Sequence, residues 1–232
     1  MWSPFRLSAP VSWRPADNEN DINVTSTGPQ NGAETSPHLA RAEQIWADLL
    51  EGNRRFQTGK PAFRDLVGRR EQLAHDQQPR VIVLACSDSR VSPELIFDKT
   101  LGDLFVIRMA GNVADSVALG SIEFAADFLN SPVLVVLGHE KCGAVAAVAS
   151  GGSILSPNVA SIVARIRPVI DSVKGKADGD ELLRLAEQAN VRQSARDLLS
   201  NSPLLQKKVA EGSITLIKAL YRLSTGQVVR LP

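Results

Sequence analysis

PRVIVLACSDSR, residues 79 to 90, contains the clearest strand signal in this chain. Val81–Ala85 is apolar throughout and β-branched at its start, which is typical of a short strand buried on both faces of a sheet. A thiol, a carboxylate and a guanidinium follow it at once, on Cys86, Asp88 and Arg90. This concentration of reactive groups after a buried strand indicates a site at the edge of a sheet.

Two more apolar runs follow in the sequence. One helical pattern lies between them, and another comes after the second run. DLFVIRMAGN predicts a strand at Leu104–Ile107, and SPVLVVLGHEKCG predicts a third at Val133–Leu137. SVALGSIEFAADFL, between these two, has the apolar spacing of a helix, and CGAVAAVAS predicts another helix after the third strand. Because strands and helices alternate, we expect the strands to be mostly parallel.

The flanking regions complete the predicted fold. ARAEQIWADLLEGNRRF and FRDLVGRREQLAHDQ predict two helices before the first strand, and a helix-rich region covers about Val159 to Val209. The final GSITLIKALYRLSTGQVVRL predicts a strand, a turn at STGQ and a short return strand. The expected class is α/β, a mostly parallel central β-sheet flanked by helices, with an N-terminal helical arm and a C-terminal antiparallel strand.

Composition limits the classes of function. The formal net charge is +1, which gives no electrostatic reason to expect nucleic acid or an anionic membrane as a partner. No apolar stretch approaches the ~18–20 residues that span a bilayer. Two cysteines cannot form a disulfide framework. We therefore expect a protein with one core, no membrane span and no nucleic-acid partner.

Residues 1 to 37 differ in composition from the rest of the chain. They are rich in Pro, Ser, Thr, Asn and Gly and show neither helical periodicity nor alternation. We expect a disordered N-terminal tail over 1–37 and a folded domain over 38–232. The tail has no continuous apolar segment of the secretory type, so the expected compartment is the cytoplasm, with an organelle-targeted or exported form left open.

The second cysteine lies in GHEKCGAV, after the third predicted strand. His139 and Cys142 have H-x-x-C spacing, and Cys142 is expected to open a helix. If the strands are parallel, Cys86 reaches the same edge of the sheet. Two thiolates and an imidazole favour Zn²⁺, and three protein ligands leave a fourth position for water, as in catalytic zinc sites.

Each of these sequence features, taken alone, also has a simpler structural interpretation. A cysteine after a buried strand is most often a small core residue, and a lone H-x-x-C is an even choice between metal and nothing. The conjunction of the two at strand ends favours metal. Asp88 and Arg90 could be an exposed ion pair of little energetic value. Alternatively, Arg90 orients Asp88 toward metal-bound water, or Asp88 itself closes the fourth position. His38 and His75 are assigned no role.

CSDSR followed by HEKC resembles the β-class carbonic anhydrases, and the resemblance runs from about Ala40 to Leu231, including LLEGNRRF, FVIRMAGN and ITLIKALYRLSTGQV. It implies zinc on the two cysteines and the histidine, the Asp88–Arg90 pair in catalysis, and a homodimer or dimer of dimers with active sites near the interface. It also implies that Gln77 binds bicarbonate and that Phe105 lines the substrate pocket. Phe124, where plant-like members often have Tyr, is expected only as a pocket wall. Met109 replaces a usual Asn.

The expected function is reversible hydration of CO₂ to bicarbonate and a proton. Zinc lowers the pKa of the water that it binds, so zinc-bound hydroxide is available to attack CO₂. Hydrolysis of COS or CS₂ on the same site is one alternative, since both are linear electrophiles like CO₂. A non-catalytic, zinc-stabilised binding protein is another. Asp88 and Arg90 argue against the latter, because a structural site needs no carboxylate to orient water.

Overall fold

Within residues 36–152 and 156–232, the part of the chain that the computed structural model describes, a five-stranded sheet forms the centre of the fold. The strands are β1 (Val81–Ala85), β2 (Leu104–Arg108), β3 (Val133–His139), β4 (Thr215–Tyr221) and β5 (Val228–Arg230). They lie in the order β2-β1-β3-β4-β5, parallel except for β5, which pairs antiparallel with β4. The predicted fold class is confirmed, including the antiparallel strand near the C-terminus.

The register of the sheet brings the carboxyl ends of β1 and β3 to the same edge. Ala85 pairs with Leu137, so the residues that follow them emerge side by side. The predicted end of β3 at Leu137 is wrong by two residues, because β4 continues to pair with it as far as His139, opposite Tyr221. His139 is therefore held by the sheet and does not lie in a loop.

Eight α-helices accompany the sheet in the described part of the chain. The helices predicted from the sequence are present, but α2 covers only the middle of FRDLVGRREQLAHDQ, since Asp65 caps its start and it buries no residue. The four-residue α3 was not predicted because it is too short to show periodicity. The bounds are α1 Pro37–Gln57, α2 Leu66–Gln72, α3 Pro93–Ile96, α4 Ser116–Asp127, α5 Gly143–Ala149, α6 Pro157–Val173, α7 Gly179–Ser200 and α8 Pro203–Ala210.

Apolar side chains cover both faces of the sheet. Val83 and Val135 point to the face that α1 covers, whereas Ile82, Leu84 and Leu134 point to the face that α4 and α7 cover. Full burial of one such side chain stabilises the fold by about 1.5–3 kcal/mol. This two-sided burial is the reason that β1 and β3 are apolar at every position, as expected for the centre of a parallel sheet.

Helix α1 begins at a capping serine followed by a proline, two residues that favour a helix N-terminus. The hydroxyl of Ser36 accepts a hydrogen bond from the N–H of Leu39 at 3.3 Å, and Pro37 occupies the first turn, where a missing N–H costs nothing. The predicted tail, residues 1–37, lies outside the described residues except for its last two. No helix within 36–152 and 156–232 is both long and apolar enough to cross a membrane.

Candidate metal centre

Three buried side chains meet at the edge where β1 and β3 end. Cys86 follows β1 directly, His139 is the last residue of β3, and Cys142 is the N-cap of α5. One donor atom from each lies within 4.8 Å of the other two, and the side chains are at most 4% exposed. Parallel pairing of β1 and β3 thus joins two motifs that are 53 residues apart in sequence, counted from Cys86 to His139.

The turn between His139 and Cys142 depends on a close approach and a strained residue. A Cβ added to Gly138 would lie 2.3 Å from Cγ2 of Val191 on α7, so a larger residue would push the end of β3 away from that helix. Lys141 has φ +53°, in the left-handed region that a non-glycine residue adopts at a cost of about 1–3 kcal/mol. The chain reverses sharply here, which points both donors at one position.

The imidazole of His139 is oriented for metal binding. Its Nδ1 lies 2.9 Å from the carbonyl oxygen of Glu140, and this contact requires the proton on Nδ1. Nε2 is then the free acceptor, and it is buried with no hydrogen-bond partner among the described residues. An orphaned buried nitrogen is costly. A metal ion between the imidazole and the two sulfur atoms would satisfy it, so the site fits a metal.

The two thiols are electrostatically unequal. A hydrogen bond from Cys142 lowers the pKa of Cys86, and His139 and the N–H of Gly111, 3.3 Å from Cys86 Sγ, lower it further against the effect of burial. The same pairing raises the pKa of Cys142, because the two sulfurs share one proton. Burial lowers the pKa of His139, but Cys86, the carbonyl of Glu140 and the charge of Asp88 together outweigh burial and raise it. A cation that replaced the shared proton would stabilise both thiolates.

Asp88 and Arg90 form a two-pronged ion pair beside the sulfur ligands. Nε and Nη2 of Arg90 donate to the two carboxylate oxygens at 2.9 and 2.7 Å, and the hydrogen bonds from Arg90 hold the pKa of Asp88 well below its usual range. Oδ2 of Asp88 is 4.0 Å from Nε2 of His139. Nη2 of Arg90 also donates to the carbonyl of Lys141, so this one side chain joins both ligand loops.

The donor set indicates the kind of metal. Two thiolates and an imidazole are soft ligands of the type that zinc prefers over magnesium or calcium. Among the described residues, this is the one group of three or more Cys, His, Asp and Glu side chains close enough to hold an ion. His38 and His75, which were assigned no role, are exposed.

Gln77, Phe105 and Phe124 are not brought to the metal ligands within one chain. Gln77 is exposed and precedes β1, at the opposite end of that strand from Cys86. Phe105 pairs with Ile82, four residues before Cys86, which places it about 13 Å back along the sheet. Its ring lies 6.4 Å from that of Phe124, which is 41% exposed. Their roles in substrate binding stay predictions.

Three residues that sequence reasoning missed hold the backbone around the three donor side chains. Arg108, at the end of β2, donates from Nε to the carbonyl of Cys86 at 3.1 Å and from Nη2 to that of Asp88 at 2.7 Å. Its position directly after a predicted strand, at the same sheet edge, could have revealed it.

Met109, which follows Arg108 and stands where the family usually has Asn, is partly buried against two of the apolar clusters.

The other two missed residues lie on α7. Oε1 of Glu187 accepts the N–H of Cys142 at 3.0 Å, and Nδ2 of Asn190 donates to the carbonyl of Gly111 at 2.7 Å. Burial raises the pKa of Glu187, and the backbone N–H groups of Cys142 and Lys141 act to lower it. No local motif marks these two residues.

Comparison with known proteins adds independent findings. A family profile described as carbonic anhydrase matches residues 81–228. The chain is 39% identical over 188 residues to carbonic anhydrase 2 of Mycobacterium tuberculosis, covering 79% of this chain and 90% of that protein. The structure of the β-carbonic anhydrase CafA of Aspergillus fumigatus matches with a TM-score of 0.65 at 26% identity, covering 84% and 89% of the two chains. A Coccomyxa β-carbonic anhydrase in complex with acetazolamide matches with a TM-score of 0.63 at 26% identity, covering 86% and 87%.

Proposed function

This chain belongs to the β-carbonic anhydrase family, and we propose that Cys86, His139 and Cys142 hold the zinc ion with which it catalyses reversible hydration of CO₂ to bicarbonate and a proton. The observation that carries the metal assignment is the buried, unpartnered Nε2 of His139 facing two thiols. When bound, zinc would lower the pKa of a water molecule and so supply hydroxide near neutral pH. The protein supplies the ligands and the orientation.

Asp88 would orient the reacting water. Its carboxylate lies 4.0 Å from the metal-facing nitrogen of His139 and accepts hydrogen bonds but donates none. A water proton directed at Asp88 leaves an oxygen lone pair for the carbon atom of CO₂. Arg90 would keep Asp88 in this role by holding both of its oxygens, which prevents the carboxylate from turning to the metal itself. The proton leaves through solvent or buffer.

The chain would act as a homodimer or a dimer of dimers. β2 is an edge strand, and beside it lies a cleft of about 750 Å³ with the exposed apolar side chains of Leu66, Leu95 and Leu101. A second copy that covered this surface would remove it from water. Gln77 and Phe105, distant from the metal ligands of their own chain, could then contribute to a site near the interface. The mass of the purified chain in solution, measured by sedimentation, tests this assembly.

The cytoplasm is the compartment that suits these ligands. Reducing conditions keep both cysteines as thiols or thiolates, whereas an oxidising compartment would favour a disulfide between them. Imaging of the full chain fused at its C-terminus to a fluorescent protein tests this. A signal confined to an organelle would contradict it.

Zinc analysis and rapid kinetics test the proposed reaction. The purified chain should carry about one zinc ion per subunit. It should accelerate CO₂ hydration in a stopped-flow assay and show little turnover of COS or CS₂ in parallel assays. Zinc binding without CO₂ turnover would indicate a binding protein, and faster turnover of CS₂ or COS would indicate a hydrolase.

Replacement of a ligand gives the sharper test. Cys142→Ser should lose zinc and activity together, because a hydroxyl is a poor zinc ligand at neutral pH. Val145→Ala is a matched control, since Val145 is buried in the same cluster and offers no donor atom. It should melt earlier and keep its zinc. A Cys142→Ser protein as rich in zinc as the parent would show that the ligand assignment is wrong.

A further inference from the structure

Helix α7 carries polar side chains where an apolar face is expected. Glu187, Asn190 and Ser194 are at most 4% exposed, and their spacing of three and four residues places them on one side of the helix. Burial of a charged group is costly unless specific partners stabilise it. The partners of these three residues therefore indicate what the buried polar face does.

Glu187 contacts the turn that carries Cys142, whereas Asn190 and Ser194 contact the Gly111–Asn112 turn after β2, which lies against the sulfur of Cys86. Glu187 accepts the N–H of Cys142 at 3.0 Å, and Asn190 donates to the carbonyl of Gly111 at 2.7 Å. The N–H of Gly111 in turn lies 3.3 Å from the sulfur of Cys86. One rigid helix thus contacts the turn that ends in Cys142 and the backbone that supports Cys86.

The contact of Glu187 falls at the most strained point of the ligand loop. Lys141, between the two ligands of the H-x-x-C turn, has φ +53°, which a non-glycine residue adopts only when its surroundings hold it there. The next backbone N–H, that of Cys142, is the group that Glu187 binds. A buried hydrogen bond at this place opposes relaxation of the turn.

We propose that Glu187 is a positioning residue, whose carboxyl group holds the His139–Cys142 turn in the geometry that binds zinc. Asn190 fixes the Gly111 turn, which supports the sulfur of Cys86, against the same helix. This inference rests on the proposed zinc site and extends it to residues that bind no metal. Outer partners of this kind typically change metal affinity by about 10–100-fold. The competing explanation is that Glu187 only stabilises the fold.

Two variants of similar volume separate the hydrogen bond from the charge. Glu187→Gln keeps a side-chain oxygen that can accept the N–H of Cys142, whereas Glu187→Met has no comparable acceptor, and both are uncharged. We expect the Met variant to bind Zn²⁺ about 10–100-fold more weakly than the parent, in competition with a chromophoric chelator. The Gln variant should recover most of this loss. With Co²⁺ as probe, the visible absorption bands of the Met variant should shift, because they report ligand geometry.

Two controls remove other causes. Glu181→Gln deletes an exposed negative charge on the same helix, where it pairs with Arg184, and should leave metal affinity unchanged. Leu198→Ala destabilises α7 through its apolar contacts with the sheet and should lower the melting temperature but leave Zn²⁺ affinity and the Co²⁺ spectrum at parental values. If Glu187 only stabilises the fold, Leu198→Ala should weaken Zn²⁺ binding and shift the Co²⁺ spectrum as Glu187→Met does.

The outcomes are decisive in each direction. Parental Zn²⁺ affinity in Glu187→Met, or an equal loss in the Met and Gln variants, would overturn the proposal. If the Met variant does not fold, the amide proton of Cys142 in the NMR spectrum of Glu187→Gln decides. It should move upfield when its carboxylate acceptor becomes an amide, and no movement would overturn the proposal. A parent chain that binds no zinc would instead refute the proposed function.

Discussion

At the scale of single residues, the proposed mechanism gives the Asp88 carboxylate two competing partners, the guanidinium of Arg90 and the zinc ion. The structure has it on Arg90, with hydrogen bonds of 2.9 and 2.7 Å. Its Oδ2 lies 4.0 Å from Nε2 of His139, close to the position proposed for the metal. The proposed task of Arg90, to hold Asp88 away from the metal position, does not depend on how much this exposed ion pair stabilises the fold.

Replacement of either partner should abolish most CO₂ hydration, for different reasons. Asp88→Ala removes the acceptor that orients water and leaves the fourth position open, so the protein should keep its zinc and still bind small anions. Arg90→Ala frees Asp88 to occupy that position, so zinc should stay while anion affinity falls. High anion concentration should partly reverse the block by mass action. Stopped-flow rates and anion titrations at matched zinc content measure these effects.

A matched control is available on α7. Arg184 pairs with Glu181, is as exposed as Arg90, and donates its hydrogen bonds to Glu181 and to none of the three donor residues. Arg184→Ala should change activity and stability little, because exposed pairs contribute about 0–1 kcal/mol. Near-parental turnover in Asp88→Ala or Arg90→Ala would remove the pair from the mechanism. Equal anion affinity in the two variants would refute only the proposal that Arg90 keeps Asp88 away from the metal position, and would leave the role of Asp88 in orienting water.

At the scale of elements, one buried carboxylate joins α1 to α3 and to the segment between α1 and α2. Asp98, which follows α3, binds Nε of Arg55 on α1 at 2.5 Å, Nη2 of Arg64 at 2.9 Å and the N–H of Ala62 at 3.1 Å. Burial acts to raise the pKa of Asp98, and these donors outweigh burial and lower it. The N-terminal helical arm is thus fixed to the domain partly by charge.

Asp98→Asn should lower the free energy of unfolding by about 1.5–3 kcal/mol at pH 7, the usual contribution of a hydrogen bond to a charged group. Asn tolerates the positive φ of +47° at this position, so backbone strain is not added. Because the folded pKa of Asp98 lies below the unfolded value of about 3.9, its contribution is present above that pH and is lost as the pH falls further. Urea unfolding at several pH values measures this.

The difference in the free energy of unfolding between the parent and Asp98→Asn is the quantity that tests the role of Asp98. Both proteins share the metal site, so acid loss of zinc cancels in the comparison. The difference should shrink below about pH 4, where the carboxylate becomes protonated. Asp127→Asn, which breaks the pair between the exposed Asp127 and the partly buried Lys208, serves as the control and should change stability less than Asp98→Asn. A difference between Asp98→Asn and the parent that stays constant down to pH 2 would contradict the assignment.

At the scale of the whole molecule, the domain should not need the predicted tail. A chain that begins at Ser36 retains the cap of α1 and should keep the parental melting temperature, assembly and CO₂ hydration rate. A chain that begins at Leu39 loses the Ser36 cap and Pro37, and should lose about 1 kcal/mol of stability. Thermal melting and sedimentation compare the two. A large loss of stability or a changed mass in the Ser36 chain would show that the preceding residues are structural.

Local patterns determined much of this protein. The unbroken apolar runs of β1 and β3 predict buried strands because a parallel sheet hides both faces of its central strands. The alternation of strands and helices predicts parallel pairing, which brings Cys86 and the His139–Cys142 turn to one edge. Donor type and the H-x-x-C spacing then indicate zinc. Each of these inferences depends on neighbours in sequence or on a general rule of sheet topology.

Tertiary packing decided the rest. β3 extends to His139 because β4, some 80 residues later, pairs along it. Glu187 meets Cys142 across 45 residues, and Asn190 meets Gly111 across 79, through the position of α7 against the sheet. The periodicity of α7 shows which residues share a face, but it does not specify the loops that this face contacts. Gln77 and Phe105 lie away from the three donor side chains of their own chain because the length of β1 and β2 separates them, a distance that no motif encodes.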